Sequence, residues 1–393
     1  MKLAITDLNN KIGWSKADIT LPGYDVTALQ KKTRETPRWA HFGIGNIFRI
    51  FLGGIADRLI AQGLTDTGIV CAETFDYDIV DKIYAPFDNL ALAVTLYEDG
   101  RMQKQILGSL AECVKADSTN TACWTRLKEI FQNPGLQMVS FTITEKGYAL
   151  RGTDGDYLPY VRKDIENGPS SPTGAMAVVA SMLLERFRAG AAPLALVSMD
   201  NCSHNGSLLQ TSVLTLIAEW QKRGFVDDDF LSYVKDEEKI AFPWTMIDKI
   251  TPRPADFVAK QLTSDGVEDM EILVTSRNTY IAPFVNAEAP GYLVVEDHFP
   301  NGRPPLEKAG VYMTDRETVN KSERMKVTAC LNPIHTALAP YGMLLGYEYF
   351  ADLMEDPELK TLAHNVSYVE GLPRVDAPGI FSPKAFLDEV IQK

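Results

Sequence analysis

Gly43 and Gly45, with one residue between them, lie between a short apolar run and a stretch with helical spacing of its apolar residues. The first glycine permits a tight turn, and the second lets the main chain approach a pyrophosphate. The segment beginning Asn46-Ile47-Phe48-Arg49 then opens a helix whose unpaired N–H groups and positive dipole end suit phosphates. Phe48 stands where the usual fingerprint has its third glycine, so this helix must lie differently on its sheet. A carboxylate should follow the next strand to hold a ribose hydroxyl pair. Glu73, ending IVCAET, is the candidate, with Asp76 as the fallback. Glu73 lies farther from the glycines than the usual spacing of ~20 residues. If it holds the ribose it disfavours the extra phosphate of NADP; otherwise it is a solvated loop carboxylate. A bare GxG also fits an ordinary glycine turn, and only the strand and helix on either side argue for more.

A second polar group, Asp200, Asn201 and Asn205, follows the apolar run APLALVSM. Asparagine NH2 groups are neutral donors, and ligands collect just beyond the strands of open α/β sheets. The same residues can equally cap a turn. Other chemistries find little support. The cysteines (Cys71, Cys113, Cys123, Cys202 and Cys330) are scattered, with no CxxC pair and no zinc-ligand spacing, so no metal site is expected. Reduced thiols and a cytoplasmic location follow. The net charge of -13 argues against nucleic acid and anionic membranes as main partners. The start MKLAITDLNNKIG lacks the apolar run of a signal peptide, and no stretch approaches the ~18 apolar residues of a spanning helix.

The elements that must position these groups alternate. RWAHFGIG reads as strand and turn, NIFRIFLGGIADRLIAQG as helix, and TGIVCAET as a buried strand, the opening of a doubly wound domain. LQMVSFTIT (136–144) reads as a strand, residues 173–190 as a helix ending at Gly190, and 192–201 as another strand. TSVLTLIAEWQKRG is an amphipathic helix, while EILVTSRNTYIAPF and YLVVEDHF read as later strands. Residues 1 to about 36 look like an irregular lead-in. After about residue 310 strand signals fade into small-residue-rich helical sequence. The expected fold is α/β: a modified Rossmann-type doubly wound domain over 1–310, then a mainly α-helical domain over 311–393.

Taken in order, these segments resemble the mannitol dehydrogenase family of polyol-specific long-chain dehydrogenases. HFGIGNIFRIF looks like that family's G-x-G-x-F-H-R-A-H stretch, without the Ala-His. FTITEKGY (141–148) looks like T-x-T-E-K-G-Y, and SMDNCSHNG (198–206) like S-C-D-N-x-x-x-N-G. FPWTMIDKITP (242–252) is similar to F-P-x-x-M-V-D-R-I-x-P, with Ile247 for Val and Lys249 for Arg. VVEDHFPNGRPPLEKAGV (294–311) and KVTACLNPIHTALA (326–339) complete the series. The resemblance implies NAD held by Gly43, Gly45, Asn46, Phe48, Arg49, Glu73 and Glu145. It also implies a lysine base, Lys326, two oxygen-polarising asparagines, Asn201 and Asn332, and a positioning histidine, His335. The substrate would be a small hexuronate or polyol, and the CLNPIHTAL variant favours the sugar acid, fructuronate reduced to mannonate, over mannitol.

The chemistry needs such a set. Hydride leaving a C–OH carbon leaves an alkoxide unless a base takes the hydroxyl proton, and donors must face the oxygen as its charge changes. Taken singly, Lys326 would be a surface lysine and His335 a core histidine. Two departures stand out. The family lysine and asparagine are five apart, whereas Lys326 and Asn332 are six apart. On an unbroken helix Lys326 and His335 would then point roughly 180° apart. A π-bulge could absorb the extra residue. The preferred expectation instead starts a helix with Asn332 as N-cap and Pro333 at N1. In addition, nothing matches the family's later D-T-P-Q-R-I-A-T-D-T-S-Q-K segment, so the helical domain is expected to be cut short. A truncated paralogue that binds NAD(H) without turnover is the competing expectation; a metal-dependent sugar dehydrogenase lacks a ligand cluster.

Overall fold

The computed structural model describes residues 1–97, 99–289 and 291–392. Six strands, β1 (Trp39–Phe42), β2 (Ile69–Glu73), β3 (Leu110–Lys115), β4 (Met138–Phe141), β5 (Leu194–Ser198) and β6 (Ile240–Ala241), form one sheet in the order β3-β2-β1-β4-β5-β6. Every neighbouring pair is parallel. Parallel sheets need cover on both faces, which is why these strands are buried along almost their whole length rather than on alternate residues. Four helices are central here: α1 (Gly53–Ala61), α2 (Thr121–Gln132), α3 (Ala175–Arg188) and α4 (Asn205–Lys222). Side chains alternate across a strand. Ala40, Phe42, Val70, Ala72, Val139 and Phe141 accordingly point to one face, where they share a core with α2, α3 and α4. Trp39, His41 and Ser140 fall on the other face, and His41 and Ser140 are register partners.

Arg186 of α3 ties this layer together. Its guanidinium is 1% exposed and has no carboxylate partner among the described residues; it donates instead to the carbonyls of Phe131, Asn133, Leu136, Ala192 and Pro193 at 2.7 to 3.1 Å.

Several expectations are corrected. Residues 1–36 are not an irregular lead-in: they hold helices at Lys11–Lys16 and Val26–Glu35 and a strand at Ile19–Thr20, which pairs with Met102–Leu107. Trp14, Ile19 and Val26 are buried in a second core with Leu92, Val94 and Phe284. The run 136–144 is strand only as far as Phe141; Thr144 takes a left-handed φ of 63° and starts the short helix Thr144–Tyr148. EILVTSRNTYIAPF becomes a hairpin of two-residue strands, Leu273–Val274 against Tyr280–Ile281.

The chain divides into two compact units: Met1–Leu293 with His298–Val311, and Val294–Asp297 with Tyr312–Lys393. In the second, Val294–Glu296 pairs in parallel with Tyr312–Thr314. Helices follow at α5 (Arg316–Met325), α6 (Asn332–Leu345) and α7 (Pro357–His364), with a last one at Pro383–Gln392. Asp315 caps α5 by accepting from the Thr318 N–H at 2.9 Å. Among the described residues no helix is long and apolar enough to cross a membrane.

Candidate functional site

Gly43 follows β1 with φ of 87°. A Cβ there would lie 2.1 Å from the Thr142 carbonyl oxygen. Neither the torsion nor the space admits a side chain. At Gly45 the reverse holds, since a Cβ would meet nothing within 4 Å. The N–H groups of Gly45, Asn46 and Ile47 have no hydrogen-bond partner among the described residues. This loop sits at the carboxyl end of β1, beside β4, where the strand order reverses. Unpaired N–H groups at a helix start, open space and the switch point together make a seat for a pyrophosphate.

Phe48 explains how the helix manages without a third glycine. It is fully buried and stacks on the His41 ring with centroids 4.0 Å apart and planes 7° from parallel. The helix opens with a π-helical turn at Phe48–Leu52, which then passes into α1 at Gly53. Beneath the loop runs a chain of hydrogen bonds. Trp39 Nε1–H donates to Ser140 Oγ (2.7 Å), and Ser140 donates to His41 Nδ1 (2.6 Å). His41 Nε2–H donates to Thr142 Oγ1 (2.9 Å), which in turn donates to the Gly43 carbonyl (2.7 Å). The Gly43 carbonyl, 3.2 Å from Nε2, can only accept and so places the ring proton on Nε2, leaving Nδ1 of the neutral imidazole to accept from Ser140. Burial agrees, pushing the His41 pKa down to about 3.

Glu73 ends β2 as expected but is 7% exposed. Its Oε1 accepts the N–H groups of Thr74, Phe75 and Asp76, and Oε2 accepts that of Ile44 at 3.3 Å. Burial raises its carboxyl pKa, and the N–H groups of Phe75, Ile44, Asp76 and Thr74 oppose the rise. The carboxylate thus binds the glycine loop to the loop after β2. Asp76 accepts from Thr275 Oγ1 through Oδ2 at 2.6 Å and so holds the 273–281 hairpin, while its buried Oδ1 has no hydrogen-bond partner among the described residues. Arg49 turns away from the loop: it is 1% exposed and donates to the carbonyls of Ala282 and Pro283 at 2.8 Å.

Beyond β4 and β5, Asp200 is a clamp. It accepts from the N–H groups of Ile143 (2.9 Å) and Thr144 (3.0 Å) and from the Tyr148 hydroxyl (2.6 Å). Asn205 donates to the Asp200 carbonyl and to Thr245. Both therefore do the turn-building work that the sequence left open, while Asn201 between them is exposed. Glu145, in the helix that Asp200 anchors, is exposed too.

In the second unit, Lys326 is 2% exposed. It begins a π-helical turn, Lys326–Cys330, closed by Leu331 N–H donating to the Lys326 carbonyl at 3.0 Å. The N-cap of α6 is Leu331, with φ -124° and ψ -66°, and Asn332 is the first helical residue. The expected Asn332 cap is thus corrected, and both the bulge and the fresh helix start are present. The break removes the objection that one straight helix would set Lys326 and His335 on opposite sides. His335 Nδ1–H donates to the Leu331 carbonyl at 3.1 Å, which in the neutral ring leaves Nε2 an acceptor.

Sequence reasoning missed His41, Ser140 and Thr142, whereas the turn-capping reading of Asp200 was open from the start. The parallel register of β1 and β4 is what joins the first three, and no local pattern signals it. Among the described residues, no cluster of three or more His, Cys, Asp or Glu could hold a metal ion.

A parallel sheet in this order, with a glycine bend and unpaired helix N–H groups at its switch point, defines a Rossmann-type dinucleotide-binding domain. Residues 37–308 match the model of the mannitol dehydrogenase Rossmann domain, and the chain belongs to that family. It is 50% identical over 393 residues to the D-mannonate oxidoreductase of Thermotoga maritima, covering all of this chain and 72% of that protein. Among solved structures it is similar to D-sorbitol dehydrogenase in its substrate-free form. The TM-score is 0.79 at 27% identity, covering 95% of this chain and 72% of that one. The Pseudomonas fluorescens mannitol 2-dehydrogenase ternary complex with NAD and D-mannitol gives the same TM-score at 25% identity, covering 100% and 73%.

Proposed function

We propose that the chain is an NAD-dependent oxidoreductase acting on the secondary alcohol or ketone of a sugar acid, a D-mannonate oxidoreductase that reduces fructuronate. The observation that carries the substrate class is the 50% identity across the whole chain to the Thermotoga maritima enzyme of that name. Polyols such as mannitol are the second choice, favoured by the likeness to the mannitol 2-dehydrogenase complex. The loop geometry fits the cofactor: the N–H groups of Gly45, Asn46 and Ile47 would take the pyrophosphate, and Glu73 Oε2 is the oxygen left to accept from a ribose hydroxyl. Arg49 acts by positioning the helix rather than by touching phosphate. The scattered free cysteines suit a reducing, cytoplasmic setting.

When bound, the nicotinamide supplies or accepts the hydride. Lys326 takes the hydroxyl proton on Nζ during oxidation and returns it during reduction; its burial is the setting in which lysine serves as a general base. The amides of Asn201 and Asn332 donate to the reacting oxygen as its charge changes. His335, fixed through Nδ1, offers Nε2 to a neighbouring substrate hydroxyl. A panel of ketouronates, ketoses and their alcohols, followed at the nicotinamide absorbance with NAD and NADP, tests the assignment. Lys326→Ala is expected to lose turnover and keep its affinity for NADH. Unchanged turnover removes Lys326 from the mechanism. NADH binding without turnover on any substrate would favour a non-catalytic paralogue.

A further inference from the structure

Phe75 is 62% exposed, an unusual position for a phenylalanine two residues past a sheet strand. The guanidinium of Arg277 stands over its ring, 4.9 Å from the centroid. Among the described residues no carboxylate lies within ion-pair distance of Arg277. Asp78, the acid whose carboxylate meets the Arg277 hairpin next to Thr275, is held by Lys82 at 3.0 Å and by the Ser276 N–H at 2.8 Å. Both partners are firmly mounted. The Phe75 N–H is bound to Glu73 Oε1 at 2.8 Å, and the 273–281 hairpin that carries Arg277 is pinned by Thr275 to Asp76. Glu73 also holds the glycine loop through Ile44. A flat aromatic face and an unpaired planar cation are thus fixed one carboxylate away from the pyrophosphate seat. A dinucleotide on this sheet order runs from the β1 loop past the β2 carboxylate with its adenosine half. An exposed ring capped by arginine is what a purine stacks on.

Building on the hydride-transfer reading, we propose that Phe75 and Arg277 form the shelf for the adenine ring, making the Leu273–Ile281 hairpin a cofactor clamp added to the Rossmann sheet. Alanine substitution at a base-stacking aromatic costs about 1–3 kcal/mol, or about five- to 150-fold in affinity. The test is fluorescence titration of the full chain with NADH, ADP-ribose and reduced nicotinamide mononucleotide. Phe75→Ala is expected to weaken NADH and ADP-ribose by about tenfold or more, in parallel, and to leave the mononucleotide and the melting temperature unchanged. Phe75→Trp should restore NADH binding, and Phe75→Leu, which keeps apolar bulk without a ring, should not. Arg277→Ala should weaken NADH several-fold in the same pattern. NADH affinity within about twofold of wild type in Phe75→Ala, or equal losses for NADH and the mononucleotide, would overturn the shelf while sparing the dehydrogenase assignment. A wild-type chain that binds neither NADH nor ADP-ribose overturns both.

Discussion

Gly43 meets two demands that no other residue meets together, a positive φ and a clearance set by the Thr142 carbonyl. Gly43→Ala should therefore cost about 2–4 kcal/mol of stability, and NADH affinity should fall at least in proportion; chemical denaturation and titration measure the two. His41 gives a pH signature. The unfolded chain takes up a proton on this residue below the ordinary value of 6.5, whereas the folded one resists until about 3. Its contribution is thus fully present above about 6.5 and is lost as the pH falls through that window, by about 1.4 kcal/mol per pH unit. Comparing unfolding free energies of wild type and His41→Phe between about pH 6 and about pH 4 isolates the effect. The variant should lack that slope, and parallel curves would show that the imidazole is not held neutral.

At the scale of elements, the buried guanidinium of Arg186 substitutes for secondary structure where the ends of α2 and α3 meet the starts of β4 and β5. Arg186→Met keeps the length but removes five hydrogen bonds, of which those to Ala192, Leu136 and Asn133 are backed by Tyr233, Asn301 and the Leu136 N–H, and a loss of about 3–5 kcal/mol is expected in denaturant melts. A loss below about 1 kcal/mol would mean that water replaces the guanidinium. The alternation of β1, α1, β2, β4, α3, β5 and α4 was legible because buried parallel strands and amphipathic helices write their periods into the residues. The strand β3 was not, because Ala91–Leu96 and Met102–Leu107 intervene and belong to another sheet. Nor was the order of residues 1–36, whose Trp14 is buried in a core that also draws in Leu92, Val94 and Phe284 from far along the chain. The glycine loop was readable in its own letters. That Arg49 serves carbonyls at 282 and 283, and that Asp200 clamps the N–H groups of Ile143 and Thr144, depends on partners far away in the chain.

For the molecule as a whole, ligand and fold are linked through the nucleotide-binding unit. NADH at about a hundred times its Kd should raise that unit's unfolding free energy by about 2.7 kcal/mol. Calorimetry with and without NADH reads this directly, and a transition that does not move would contradict dinucleotide binding. The same unit also carries its own optical reporter. The Trp39 indole is joined through Ser140, His41 and Thr142 to the Gly43 carbonyl, so any repolarisation of the loop by a docked anion reaches the ring that emits. Tryptophan fluorescence should shift when ADP-ribose, which does not itself fluoresce, is added, and the shift should vanish in Trp39→Phe.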